Sequence, residues 1–193
     1  GRGNAVKLLA ETLRDLSARA DMQLIGMAGG TARNAIPREA HAVCALPAGS
    51  AAELAAWAQS CQAAWRKRFA GADPDVALAI RPVDGTVQAG AMHDAALAIA
   101  KPDQEHLIAF LDGAPNGVAR FSEDFPGVTD TSSNLGIAAL EQGAFRATFK
   151  ARSLENRRAA ELADTLVAHA RALGLNAWKD GAYPGWTPNP ASD

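Results

Sequence analysis

The stretch Gly29-Gly30-Thr31-Ala32-Arg33-Asn34-Ala35-Ile36-Pro37-Arg38-Glu39 joins two apolar runs, residues 22–27 and 41–46, each of which predicts a strand. Its glycines allow backbone conformations that residues with a Cβ rarely adopt, and its proline fixes φ. A simple reversal of the chain does not require Arg33 and Asn34, a cation and a two-way hydrogen-bonding amide. Two interpretations stay open: a solvated hairpin loop, or a loop that presents these side chains to a ligand.

The composition narrows the classes of function. The 193 residues are enough for one domain, or two small ones, with a hydrophobic core. The net charge of -2 gives no reason to expect nucleic acid or a membrane surface as a partner, and no apolar run reaches the ~18 residues that span a bilayer. The two cysteines lack metal-ligand or redox spacing, and no signal peptide is apparent, which predicts buried thiols in a cytoplasmic protein.

Periodicity predicts an α+β fold made of two ferredoxin-like halves, each an antiparallel sheet with helices. The first half, residues 1–85, is expected to run helix, strand, strand, helix, strand. Asn4 is a candidate cap for its first helix, and its last strand is predicted at residues 75–83, where apolar residues alternate. This half lacks the opening strand of a complete βαββαβ unit, so the sequence looks like an excised piece.

The second half, residues 86–180, is expected to run helix, strand, strand, strand, helix, strand. Polar and apolar residues alternate from 144 to 152, which predicts a strand with one solvent-facing side. A short last strand is predicted at residues 176–180. Residues 181–193 are too rich in proline to continue a sheet.

The sequence lacks the signatures of a self-sufficient enzyme. Its four histidines show no HxxxH, HxH or HxD spacing, and no GxSxG, P-loop or GxGxxG motif occurs, so no catalytic residue and no metal ligand is assigned. Arginine is suited to bidentate capture of a carboxylate, and asparagine can donate to an oxyanion. Polar residues on predicted strands and turns form either a solvated surface or a binding face for a peptide-like ligand: Arg33, Asn34, Asn116, residues 131–134, Arg146, Lys150 and Arg152.

Six stretches, in the same order, resemble the aminoacyl-histidine dipeptidases, also called Xaa-His or cytosol non-specific dipeptidases. These are di-zinc metallopeptidases related to carnosinase, with a lid domain inserted into a zinc-binding catalytic domain. The stretches cover nearly the whole chain, which resembles most of that lid. They are GRGNAVKLL (1–9), GGTARNAIPREA (29–40), PNGV (115–118), DFPG (124–127), TSSNLG (131–136) and GAYPGW (181–186).

The resemblance implies a division of labour. The zinc ions are cofactors of the parent enzyme, and their ligands and the glutamate general base would lie outside this chain, so the fragment is expected to bind no zinc and to be inactive alone. Arg152 matches the family's arginine that binds the C-terminal carboxylate of the substrate. Asn34 is similar to an asparagine that helps to hold the dipeptide. Residues 181–193 would begin the return to the catalytic domain.

A second hypothesis is a non-catalytic dimerisation or structural module, in which the sheet or helices join two copies. Under this hypothesis no polar face needs to bind a ligand, and light scattering should show a homodimer. The expected partners are therefore a dipeptide substrate, the parent's own catalytic domain, and a second copy of the chain.

Overall fold

The structure is a computed structural model that describes residues 2–47, 51–82, 98–181 and 185. All its strand pairs are antiparallel and join into one five-stranded sheet, which confirms the predicted α+β class. Strands from both predicted halves belong to this sheet, because β1 pairs with β4. The elements are α1 (Ala5–Ser17), β1 (Gln23–Gly29), β2 (Ala40–Ala45), α2 (Ala51–Arg68), α3 (Lys101–Gly113), β3 (Gly117–Phe121), β4 (Thr129–Glu141), β5 (Ala144–Ser153) and α4 (Asn156–Ala172).

The two edges of the long strand β4 have different neighbouring strands. β5 pairs along one edge, from residue 131 to residue 141. The other edge is shared by two strands, since β3 pairs with residues 129–133 and β1 pairs with residues 138–140. β2 continues the sheet beyond β1. The ladder on the shared edge is therefore interrupted at residues 134–137, and we call this interval the sheet gap.

The hydrophobic core lies on one face of the sheet, where α1, α3 and α4 contact the strands. α1 is amphipathic because its buried residues recur three or four positions apart. Alternate residues of β2 and β5 face the helices, and bulges in β1 and β4 bring Leu24 and Met27, and Leu135 and Ala138, onto the same face although they are three positions apart. Fully buried members of the core include Val6 and Leu13 of α1, Met27 of β1, Leu107 of α3 and Leu135 of β4.

The buried Asn4 side chain connects the start of α1 to the sheet gap. Its Oδ1 accepts hydrogen bonds from the backbone N–H groups of Val6 at 3.0 Å and Lys7 at 3.3 Å. Its Nδ2 donates to the Leu135 carbonyl oxygen at 2.9 Å and to Asn116 Oδ1 at 3.3 Å. Asn116 Oδ1 also accepts from the Leu135 N–H at 2.8 Å. Two side chains thus satisfy the peptide groups of Leu135 that face the gap.

Lys7 joins α1 to the C-terminal end of α3. Its Nζ donates to the carbonyl oxygens of Leu111 and Asp112, both at 2.6 Å, and of Ala114 at 2.9 Å. Burial lowers the pKa of Lys7, and the nearby carboxylates of Asp112 and Glu11 oppose that shift. An ammonium group at a helix C-terminus is favourable because it meets carbonyl groups that the helix leaves without partners.

The strand predicted at residues 75–83 is wrong for its described part, residues 75–82, which have no regular secondary structure. Side chains of α2 take the hydrogen-bonding groups that a neighbouring strand would need. The Leu78 N–H donates to Gln62 Oε1 at 3.0 Å, and the Val76 carbonyl accepts from Arg66 Nε at 3.2 Å. The apolar alternation therefore reflects packing along α2 and not pairing in the sheet.

The strand predicted at residues 176–180 is also wrong, because this segment has no regular structure and lies along α4. The Ala177 carbonyl accepts a hydrogen bond from Arg171 Nη2 at 3.0 Å. Lys179 Nζ forms an ion pair with Asp164 at 2.6 Å. Both contacts bind the segment to the helix that precedes it instead of to a strand.

Asp130 forms the most buried ion pair of the residues described. Its side chain is 2% exposed, and its partner Arg158 on α4 is 28% exposed. The Asp130 carboxylate also accepts hydrogen bonds from the hydroxyls of Ser153 at 2.8 Å and Thr131 at 3.1 Å. Burial raises the pKa of Asp130, but the hydrogen bonds from Ser153, Thr131 and Arg158 outweigh it and keep that pKa below its ordinary value. The pair fixes the start of α4 on the β4–β5 hairpin.

Replacing Asn4 with alanine should lower the free energy of unfolding by about 2 kcal/mol, because α1 loses its cap and the Leu135 carbonyl loses a donor. Asn4→Asp keeps an acceptor for the start of α1 but cannot donate to Leu135, so it should not restore the stability. Urea unfolding followed by circular dichroism measures both changes.

The matched control is Asn176→Ala, which removes an exposed asparagine whose side chain forms no hydrogen bond among the described residues. It should change the free energy of unfolding by less than about 0.5 kcal/mol. If Asn4→Ala cost no more than this control, the bridging role of Asn4 would be refuted.

The stabilisation by Asp130 should depend on pH. Because its pKa is lower in the folded state, the stabilisation is complete above the ordinary carboxyl pKa of about 4 and is lost as the pH falls through the lowered value. The difference in urea midpoint between the native protein and Asp130→Asn should therefore be largest near neutral pH and shrink below about pH 4. Glu161→Gln, which removes an exposed pair with Arg157, should shift the midpoint little at neutral pH. A difference that is constant with pH would exclude the charge of Asp130 as the cause.

Candidate functional site

The sheet face opposite the core carries polar residues singled out from the sequence. Residues directly opposite each other on neighbouring strands share a face, which pairs Ser132 with Arg152 and Asn134 with Lys150. The residues between them belong to the core face, as the alternation in β5 predicted. We call the surface formed by these four residues and the β1–β2 loop, residues 30–39, the open-face site.

The polar run at residues 131–134 divides between the two faces of the sheet. Ser133 Oγ donates to the Pro115 carbonyl oxygen at 2.6 Å on the core side, and Thr131 Oγ1 lies 3.0 Å from Ser153 Oγ. The structure therefore brings Ser132 and Asn134 beside Arg152 but assigns Thr131 and Ser133 to internal hydrogen bonds.

The β1–β2 loop is attached to β4 at the sheet gap. Asn134 Nδ2 donates to the carbonyl oxygens of Ala35 at 2.7 Å and Arg33 at 3.3 Å. At the far end of the loop, the Ala5 N–H at the start of α1 donates to the Pro37 carbonyl oxygen at 3.0 Å. These bonds hold the backbone on both sides of Asn34.

Two glycines allow the loop and β4 to approach each other closely. A Cβ on Gly136 would lie 2.6 Å from both the Ala32 carbonyl oxygen and the Arg33 Cα, which is too close for either atom. Gly30 has a φ of +75°, and a Cβ there would overlap the Gly136 carbonyl oxygen. The backbone freedom that the sequence indicates at this point is needed for both conformation and contact.

Three of the side chains proposed from the sequence as ligand contacts are without partners in the part of the chain that the structure describes. Arg33, Asn34 and Arg152 are exposed, and their side chains form no hydrogen bond or ion pair with described residues. Arg152 lies two positions along β5 from the residue opposite Asn134, a separation of about 7 Å. The loop that carries Asn34 and the strand that carries Arg152 therefore meet at one stretch of β4.

Sequence reasoning missed how three asparagines build this surface. The sequence predicts Asn4 only as a helix cap and places Asn116 and Asn134 among the polar residues of predicted strands and turns. The bond from Asn4 to Leu135 spans 131 positions, and the bond from Asn134 to Ala35 spans 99. Local spacing cannot reveal such partners; the available signal is the glycine two positions after Asn134, where the backbone of β4 and the β1–β2 loop come close.

The residues described do not provide a metal centre. Within them, no group of three or more His, Cys, Asp or Glu side chains is arranged to hold a metal ion. Cys44 and Cys61 are free thiols, and burial raises the pKa of Cys44 to about 12, which is unsuited to a thiolate ligand. We therefore assign no metal to these residues. No helix in the described ranges is long and apolar enough to cross a membrane.

Comparison with known proteins adds independent information. Residues 1–73 match the model of a family described as peptidase dimerisation domain. The chain is also 33% identical, over 189 residues, to the cytosol non-specific dipeptidase of Escherichia coli (strain K12), a match that covers 98% of this chain and 37% of that protein.

A solved structure agrees with this assignment. The crystal structure of aminoacylhistidine dipeptidase from Vibrio alginolyticus matches the chain with a TM-score of 0.85 and 31% identity, covering 100% of this chain and 38% of that one. The resemblance inferred from the six sequence stretches is thus confirmed. The chain spans less than two fifths of the length of these relatives.

Proposed function

We propose that this chain is the lid domain of a zinc-dependent dipeptidase that hydrolyses Xaa-His and other dipeptides. The similarity to a cytosol non-specific dipeptidase and to an aminoacylhistidine dipeptidase supports this proposal and a cytoplasmic location. The zinc ligands and catalytic groups would belong to the rest of a longer protein, and the lid alone would be inactive. Arg152 would bind the C-terminal carboxylate of the substrate, and Asn34 would help to hold it.

One observation carries the binding role: the free Arg152 side chain and the loop bearing Asn34 meet at the same stretch of β4. The guanidinium group offers parallel N–H donors that match the two oxygens of a carboxylate. Two extended residues span at most about 7 Å, which is also the spacing from Arg152 to the level of Asn134. A dipeptide held by its carboxylate at Arg152 would therefore reach the loop.

The division of the chain is part of this proposal. Residues 1–85 and 86–180 would be the two α+β halves of the lid, and residues 181–193 would begin the return to the catalytic domain. The boundary at residue 85 lies outside the described residues, as does the last segment except for Gly181 and Gly185. Pairing of β1 with β4 would connect the two halves.

A second candidate function is assembly of two copies. The family description, peptidase dimerisation domain, favours it. β2 lies at the end of the sheet and pairs only with β1 among the described strands, so its outer edge could accept a strand from another copy. Light scattering of the intact protein at micromolar concentration should give the mass of a dimer; a monomer at all concentrations tested would remove this candidate.

In the intact enzyme, Arg152→Ala should raise the KM for dipeptides with a free carboxylate by at least about tenfold, because a charged bidentate contact is lost. The same variant should change the KM for C-terminally amidated dipeptides little. Steady-state hydrolysis assays with zinc present measure both values.

The matched control is Arg146→Ala, since Arg146 lies on the same strand and face, opposite Ala139, and its side chain is likewise without a partner in the described structure. It should leave both KM values close to those of the parent enzyme. Equal losses on free and amidated dipeptides after Arg152→Ala would exclude the carboxylate role.

A further inference from the structure

We infer that Asn134 is a positioning residue that holds the β1–β2 loop so that Asn34 can reach the substrate. This inference rests on the proposed function, because it assigns a role through Asn34. Its basis is geometric: one side-chain amide on the open face donates to the carbonyl oxygens of Ala35 at 2.7 Å and Arg33 at 3.3 Å. These carbonyl groups belong to the residues on either side of Asn34.

The loop depends on such bonds because burial contributes little to its position. Residues 33–36 are all exposed, including the apolar Ile36 at 44%. Exposed segments with few apolar contacts open at low free-energy cost. A turn bond from the Ala35 N–H to the Ala32 carbonyl at 3.2 Å shapes the loop internally, but it does not attach the loop to the sheet. The attachment near Asn34 is made by Asn134.

The position of Asn134 also relates the loop to Arg152. Asn134 lies opposite Lys150, and Ser132 on the same face lies opposite Arg152. The β4–β5 ladder is regular through these pairs, because its register shift occurs later, between Leu135 and Ile137. One rigid piece of sheet thus carries both the proposed carboxylate-binding arginine and the attachment of the loop.

The chemistry of the side chain makes the inference specific. The loop carbonyls need a donor, so the Nδ2 group is the functional part of Asn134. Asn134→Asp has nearly the same shape but places a carboxylate oxygen against two carbonyl oxygens, and it should release the loop. If Asn134 instead acted by accepting a hydrogen bond from the substrate, Asn134→Asp would keep that ability.

The test uses the intact, zinc-loaded enzyme with a free dipeptide. Asn134→Ala and Asn134→Asp should each raise the KM about tenfold, and amide hydrogen exchange of residues 31–36 should become faster in both. Because Asn134 would act through Asn34, adding Asn34→Ala to either variant should raise the KM little further. This non-additivity is not expected of a residue that only stabilises the fold.

Gly136→Ala would displace the same loop while leaving Asn134 unchanged, because the added Cβ would lie too close to Ala32 and Arg33. It should raise both the KM and the rate of exchange in the loop, even if the Asn134 variants fold poorly. The control is Gly71→Ala, at an exposed glycine with no atom within 4 Å of the added Cβ. That control should alter neither quantity.

Additive effects of Asn134→Ala and Asn34→Ala on KM would overturn the inference, as would unchanged loop exchange in Asn134→Asp. Failure of the proposed function has a different signature. In that case Arg152→Ala and Asn34→Ala would both leave the KM unchanged, whatever the exchange measurements show.

Discussion

The structure depends on how the peptide groups of Leu135 are satisfied in the sheet gap. β1 and β3 share one edge of β4 and leave this residue without a neighbouring strand on that edge. A buried peptide group without a partner costs on the order of 1–3 kcal/mol, so an unfilled gap would be expensive. Asn4 and Asn116 fill it with side-chain amides, and the same Asn4 side chain caps α1. The start of the first helix and the middle of the central strand are therefore fixed together.

The gap explains why a loop with exposed polar residues can hold a defined position. A continuous ladder along β4 would occupy the edge where the loop approaches Gly136. In the gap, the loop instead meets a strand that offers a glycine for close contact and Asn134 as a donor. The loop end is fixed to α1 through the bond from Ala5 to Pro37. Arg33 and Asn34 can thus stay exposed while the backbone that carries them is held.

Sequence patterns predicted the elements whose periodicity reports burial against the core, such as α1 and the β4–β5 hairpin. The same rule failed at residues 75–82, because alternation records that one side is covered but not whether a strand or a helix covers it. The exposure of Arg152 followed from the alternation in β5. Its proximity to the Asn34 loop did not, since that depends on hydrogen bonds between Asn134 and residues about a hundred positions away.

Charged side chains on the two faces of the sheet differ in whether they have internal partners, and this difference bears on function. On the core side, Asp130 and Arg158 satisfy each other, and Lys7 is surrounded by the last carbonyl groups of α3. These groups hold the fold together and would have to break internal bonds to bind a ligand. On the open face, Arg33 and Arg152 have no such bonds among the described residues. A carboxylate that binds there breaks no hydrogen bond or ion pair of Arg33 or Arg152 with described residues, so a charged bidentate contact can form without the loss of such a bond.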